Sequence, residues 1–254
     1  MAMLLDGPPT TIDELSARDS DLLNVAVSES IDLTVKLRLA ASDVGAAVES
    51  MLMSVAPSYG VIHACRPTLR HIAVTPPLKL WHTYTTLRLI YQDLYFSRLN
   101  DRYQAKMKLY SEQEAQSVDD LRTTGLGVVF DPLPQALAPS IAIVQTSDTG
   151  GTLYLAVSFV NGRDEEGLIS VPIEADTSDG SATSVTLAAL ADNAVGWNLY
   201  AGLDPGALMR QNSETLDPMA SVAMAPGRLT NGPKPGTGQH ANSFYPVPRR
   251  ILRG

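Results

Sequence analysis

The chain has 254 residues, 44% of them apolar and 18% charged, with a formal net charge of −8. That size and balance fit a folded protein of about two domains and exclude a disordered one. An acidic body argues against free binding to a nucleic-acid backbone, and no window approaches the roughly 18 uninterrupted apolar residues of a membrane-crossing helix.

Residues 1–9 read as an arm ending in Gly7, Pro8 and Pro9. The start, MAMLLDGPPT, has no basic region followed by an apolar run, so no secretory leader is expected. Thr11, Ile12, Asp13 and Glu14 have the form of a capping box. A short helix follows, with Leu15, Leu22, Leu23 and Val25 available for burial, then a polar corner at Ser28–Asp32. From Ile31 to Val55 the residues Leu33, Leu37, Ala40, Ala41, Val44, Ala47, Val48, Met51 and Leu52 keep a helical period. Pro57 ends that helix. A weakly patterned linker with a helical turn near Pro67–Ile72 leads to the long stretch from Leu78 to Asp120.

That stretch holds Tyr84, Tyr91, Tyr95, Tyr103 and Tyr110, five of the nine tyrosines in the protein. Leu80, Tyr84, Leu87, Tyr91, Leu94 and Tyr95 form an apolar stripe at helical spacing. Asn100 and Asp101 favour a cap over a helix interior, which predicts two helices, or one kinked helix, meeting near Leu99–Asp101. The tyrosines fit ordinary core. With Arg88, Arg98 and Arg102 interleaved they also fit a subunit interface, where Tyr and Arg combine contact area with donors.

Gly125 and Gly127 stop the helical region, and a proline-punctuated link follows, opening with a short strand at Val128–Phe130. The periodicity then changes to two. Strands are expected at Ile141–Val144, Thr152–Val160, Leu168–Ile173, Ser184–Leu190 and Gly196–Tyr200, with smaller pieces at Leu208–Arg210 and Ser221–Met224. Short strands divided by turns such as SDTGG and NGRDEEG point to a small sandwich. From Pro226 the last 29 residues hold five Arg or Lys and no acid, so the remainder carries −13. This glycine- and proline-rich tail reads as an extended arm whose apolar groups, Phe244, Tyr245, Val247, Ile251 and Leu252, a surface could accept. The fold class is therefore multidomain α+β: a helical domain over 1–124, a linker over 125–138, a β-sandwich over 139–225 and an arm over 226–254.

Chemistry-bearing patterns are few. Cys65 is the single cysteine, which forbids an intrachain disulfide and fits a reducing compartment. With His63, His71 and His82 it does not make a zinc set, which wants about four converging ligands. No third group orients Cys65 as a nucleophile. Asp164, Glu165 and Glu166 read as a solvent-facing turn without the ligand spacing of a calcium loop. Gly236 and Gly238 follow no strand, so they are no nucleotide loop. Trp197 reads as a core anchor. No catalytic residue, metal or cofactor is expected.

The segments LKLWHTYTTLRLIYQDLY, LNDRYQAKMKLY and IDLTVKLRLAASDV resemble head–tail connector (adaptor) proteins of tailed bacteriophages. The region from Tyr154 through NGRDEEG and SVP to GWNLYAG resembles the fibronectin type III-like or immunoglobulin-like module attached to such proteins. The resemblance implies a structural virion protein, assembled in the host cytoplasm and sited at the head–tail interface. Its copies would form a ring, commonly of twelve, against the portal protein and a tail or stopper protein. DNA would pass through the lumen without sequence-specific binding, and no membrane would be involved. The contacts would use Tyr84, Arg88, Tyr91, Tyr95, Arg98, Arg102, Tyr103 and Tyr110, and an arm carrying Phe244, Tyr245, Arg249, Arg250, Ile251, Leu252 and Arg253. On that reading, removing Phe244 to Gly254 leaves the monomer folded and impairs assembly. The alternative is another virion or tail component whose sandwich contacts the host surface.

Overall fold

The computed structural model describes residues 2–54, 67–98 and 101–247, and the protein is mixed α+β with two compact units. One is Leu4–Phe130 together with the C-terminal segment from Ala241; the other has Asp131–His240 as its main body.

In the first unit, α1 (Ile12–Arg18) opens on the capping box read from sequence, with the Thr11 hydroxyl accepting from the Glu14 amide and Glu14 accepting from Thr11. Where one short helix was expected there are two. The backbone breaks at Asp19–Asp21 and resumes as α2 (Leu22–Glu29). The break places Asp19 inside, only 5% exposed. Ser30 closes α2 in the left-handed conformation, φ 57°. Asp32 then caps α3 (Leu33–Ser54), its carboxylate accepting from the amides of Thr34 and Val35.

Helix α4 (Pro76–Arg98) is the centre of this unit. Trp81, His82, Thr83, Thr85, Thr86, Leu87, Ile90, Tyr91 and Leu94 are all buried, so it hides more than the single stripe read from sequence. Three threonines make this possible. Each returns its hydroxyl to the carbonyl four residues back, Thr83 to Lys79, Thr85 to Trp81 and Thr86 to His82, so none of the three donors is left unpaired. A 3-10 turn at Asp101–Tyr103 leads into α5 (Gln104–Thr124), which packs along α4. Gly125, at φ 88°, ends α5, as its position predicts.

The C-terminal segment is not a free arm over its described length. Strand β1 (Leu126–Val128) pairs antiparallel with Ser243–Tyr245, and Ile72 bridges to Val128 on the other side. Val247 is 7% exposed, in the cluster that holds Val44, Val48, Leu78, Trp81 and Leu121. Within that ribbon Gly127 has no space for a larger residue, because an added Cβ would lie 2.6 Å from the Thr75 methyl.

The second unit has two antiparallel sheets. One takes the order β2 (Ser140–Gln145), β5 (Ser181–Thr186), β8 (Val222–Met224); the other takes β4 (Ile173–Thr177), β3 (Gly151–Asn161), β6 (Ala194–Gly202), β7 (Met209–Arg210). Residues Leu153, Leu155, Val157 and Phe159 of β3, Trp197 and Leu199 of β6, Val185 of β5 and Met224 of β8 share one apolar cluster. The expected strand at Leu168–Ile173 begins only at Ile173, beyond Pro172, which has no amide hydrogen to give a ladder. Trp197 is fully buried and its indole donates to the Asp217 carbonyl at 2.8 Å. Gly196 beside it faces Leu216, whose carbonyl oxygen would sit 2.4 Å from an added Cβ. Gly196→Ala is expected to destabilise this unit by about 1–3 kcal/mol, measurable as a shift in its urea midpoint.

Residues 226–240, expected to be part of the arm, lie along this unit instead. Arg228 pairs with Asp148, Leu229 packs on the apolar cluster, and Gln239 donates to the Asp131 carbonyl and accepts from the Leu133 amide. Beyond them, the piece of tail that pairs with β1 is the last strand, β9 (Ser243–Tyr245).

Candidate functional site: tyrosine cluster and apolar helix faces

The tyrosine-rich stretch builds its most organised feature around Asp19. Tyr91 of α4 donates to Asp19 Oδ2 at 2.6 Å and Tyr110 of α5 donates to the same oxygen at 2.9 Å. Lys106 Nζ reaches both carboxylate oxygens, at 2.7 and 3.0 Å, and lies 5.1 Å from the Tyr91 ring centroid. The Asp21 amide also donates to Oδ1. The Tyr91 ring lies 5.5 Å from that of Tyr110 and 6.0 Å from that of Tyr103, whose hydroxyl donates to Glu29.

The charges follow from this geometry. Burial alone would raise the Asp19 pKa, but hydrogen bonds from Lys106, Tyr91 and Tyr110 outweigh it and hold the carboxyl below its ordinary value. Burial would likewise lower Lys106, yet its bond to Asp19 carries it upward. Tyr91 and Tyr110 are both pushed well up, by burial first and then by the Asp19 carboxylate. The cluster therefore holds an ionised acid saturated with donors and two firmly protonated phenols. Such a set fixes α1, α4 and α5 to one another.

The expected contact residues separate accordingly. Tyr91, Tyr103 and Tyr110 are buried within the protein, so the interface role expected of them is corrected to core. Tyr84 and Tyr95 are half-buried, Tyr84 stacking on Tyr110 and Tyr95 meeting Phe96 edge-on. Arg88 is half-buried and paired with Glu114, with Gln92 as a second acceptor at 2.7 Å. Arg102 is exposed, its guanidinium 5.5 Å from the Tyr103 ring centroid. Phe244 is exposed and Tyr245 half-buried. The Arg98 side chain, with Arg249, Arg250, Ile251, Leu252 and Arg253, lies outside the described residues.

Other apolar side chains face solvent on the helices, among them Leu23, which the sequence offered for burial. Leu23 and Val27 stand four apart on α2, Val35 and Leu39 four apart on α3, with Phe96 on α4 and Leu109 on α5. Val27 is 82% exposed. The signal was present: Val35 and Leu39 fall off the Leu33–Leu37–Val44–Val48 stripe, which leaves them on another face of α3.

In the β unit a second carboxylate gathers donors. Glu165 and Glu166 do not face solvent as expected. Glu166 accepts from the hydroxyls of Ser158 and Tyr200 and from the Asn198 amide. Glu165 accepts from Asn161 and Gln239. Burial and the Glu166 carboxylate push Tyr200 up, so this phenol too stays protonated. The roles of both acids are invisible to periodicity, because their partners come from β3, β6 and the tail.

Among the described residues no three His, Cys, Asp or Glu side chains group as a metal site. His71 closes on Thr68, and His82 is buried with Nε2 at 3.1 Å from the Leu37 carbonyl, burial holding its pKa down. His63 and Cys65 lie outside the described residues. No helix among the described residues is long and apolar enough to cross a membrane. No protein-family model matches this sequence, and no curated protein matches it.

Proposed function

We propose that this protein is a structural assembly subunit, a head–tail connector of a tailed phage whose copies form a ring between portal and tail. In this reading Leu4–Phe130 is the adaptor-like helical bundle and Asp131–His240 an appended sandwich of the fibronectin type III or immunoglobulin kind. The observation that carries it is the set of apolar side chains held in solvent on four helices, Leu23, Val27, Val35, Leu39, Phe96 and Leu109. Exposed apolar groups on helices already fixed by an internal polar cluster suit packing against other molecules. The acidic body suits a channel along which DNA slides.

The test is the full-length protein with Val27→Glu and Leu39→Glu together. Because both sites are exposed, stability is expected to change by no more than about 0.5 kcal/mol. Ring formation with a portal protein, seen by electron microscopy and by particle mass, is expected to fail. Rings of unchanged yield, or a wild-type protein that stays monomeric with every portal tried, would remove this reading.

A second reading gives the β unit a contact role, and the edge strand β2 favours it. Ile141 and Ile143 pair with Val185 and Thr183, so they share the core-facing side of the sheet, yet they remain 40% and 54% exposed. An uncharged edge with open core-facing side chains is suited to receive a partner's strand.

A further inference from the structure

Two Asn-Gly pairs occur in the sequence, Asn161–Gly162 and Asn231–Gly232, both in the β unit. Their surroundings are opposite. Asn161 is fully buried, and all its polar capacity is used. Its Oδ1 accepts from the amides of Arg163 and Glu165, and its Nδ2 donates to the Asp131 carbonyl and to Glu165. Asn231 is exposed, and its carboxamide makes no hydrogen bond to the described residues. Glycine after asparagine leaves the next backbone nitrogen unshielded, so the local chemistry of the two pairs is the same and only the fold distinguishes them.

We infer that Asn231 is a site of spontaneous deamidation and that its isoaspartate product loosens the tail segment from the β unit. The Gly232 amide nitrogen attacks Asn231 Cγ. A carbon–nitrogen bond forms to close a succinimide, the carboxamide C–N bond breaks, and ammonia leaves with the proton from the Gly232 nitrogen. Water then opens the ring at either carbonyl, giving aspartate or isoaspartate. Water is the one co-reactant.

The consequence follows from how tightly this stretch is held on both sides. Just before it, Thr230 donates its amide and hydroxyl to Gln211 Oε1, and its carbonyl accepts from Gln211 Nε2. Just after it, the Pro233 carbonyl accepts from the Arg210 amide at 2.9 Å. Between the two, Gly232 passes so close to β7 that an added Cβ would meet the Arg210 carbonyl oxygen at 2.0 Å. Isoaspartate inserts one more backbone carbon between these two anchors. Both cannot keep their partners, and the segment from Thr230 to Pro233 detaches from Arg210 and Gln211.

The test is the full-length protein held folded at mildly alkaline pH, and in parallel unfolded in urea, with isoaspartate measured by peptide mapping. Unfolded, the two pairs are expected to react at similar rates. Folded, Asn161 is expected to slow by about tenfold or more, the cost of breaking its hydrogen bonds, while Asn231, whose carboxamide has no such bonds to break, slows less and is the faster of the two. Equal protection of both in the folded protein would overturn the site assignment. Hydrogen exchange of the amides of residues 209–233 is expected to quicken after modification and to stay slow in an Asn231→Ser variant incubated alongside. Unchanged exchange in protein carrying isoaspartate at 231 would overturn the detachment.

Discussion

Asp19→Ala is expected to lower the stability of the helical unit by about 2–5 kcal/mol, because the buried phenols of Tyr91 and Tyr110 are left without their acceptor. Four donors lose this acceptor together: the phenols of Tyr91 and Tyr110, Lys106 and the Asp21 amide. Asp19→Asn keeps the volume and one acceptor oxygen, so its loss is expected to be smaller. Tyr110→Phe removes a single bond to a charged group, about 1.5–3 kcal/mol, and Tyr91→Phe removes such a bond together with the one its oxygen accepts from Lys106. Chemical denaturation followed by the signal of Trp81, which lies in the helical unit, measures all four.

The same cluster sets a pH dependence with two limbs. Asp19 is held below its ordinary pKa in the folded protein, so its contribution is present above about pH 4, the unfolded value, and is lost as pH falls through the folded value. Tyr91, Tyr110 and Lys106 are raised on folding. Their contribution is complete below about pH 10 and is lost as the solution becomes more alkaline. In Asp19→Asn the acid limb is expected to flatten and the alkaline limb to weaken. Parallel curves for the two proteins would show that the cluster contributes nothing that titrates.

Deletion from Ala241 onward is expected to destabilise the helical unit by about 4 kcal/mol or more, from Val247 burial and lost backbone hydrogen bonds. The shorter truncation from Phe244 takes most of the same strand and Val247, so it too is expected to destabilise this unit. The deletion strips β1 of its partner strand, takes the Asn242 amide from the Val128 carbonyl, and uncovers the cluster beneath Val247 and Tyr245. Phe244→Ala is the matched control, since that ring is 58% exposed and is expected to leave the thermal midpoint nearly unchanged. An unaltered midpoint in the deletion would mean that β9 adds nothing to the folded unit.

Local chemistry carries its own record in this protein. Thr11–Glu14 caps α1, Gly125 ends α5, the period of α3 names Leu33, Leu37, Val44 and Val48 as its buried line, and the alternation of β3 names Leu153, Leu155, Val157 and Phe159. Each of these depends on neighbours within a turn or two, so the order of residues is sufficient. Tertiary structure alone decided the rest. Asp19 lies 72 and 91 positions from the tyrosines it joins, and β1 over 100 from β9. The burial of Asp19, and the docking of Tyr245 and Val247 from the tail, carry no local signature, because an acid turns inward only where distant donors repay its lost water.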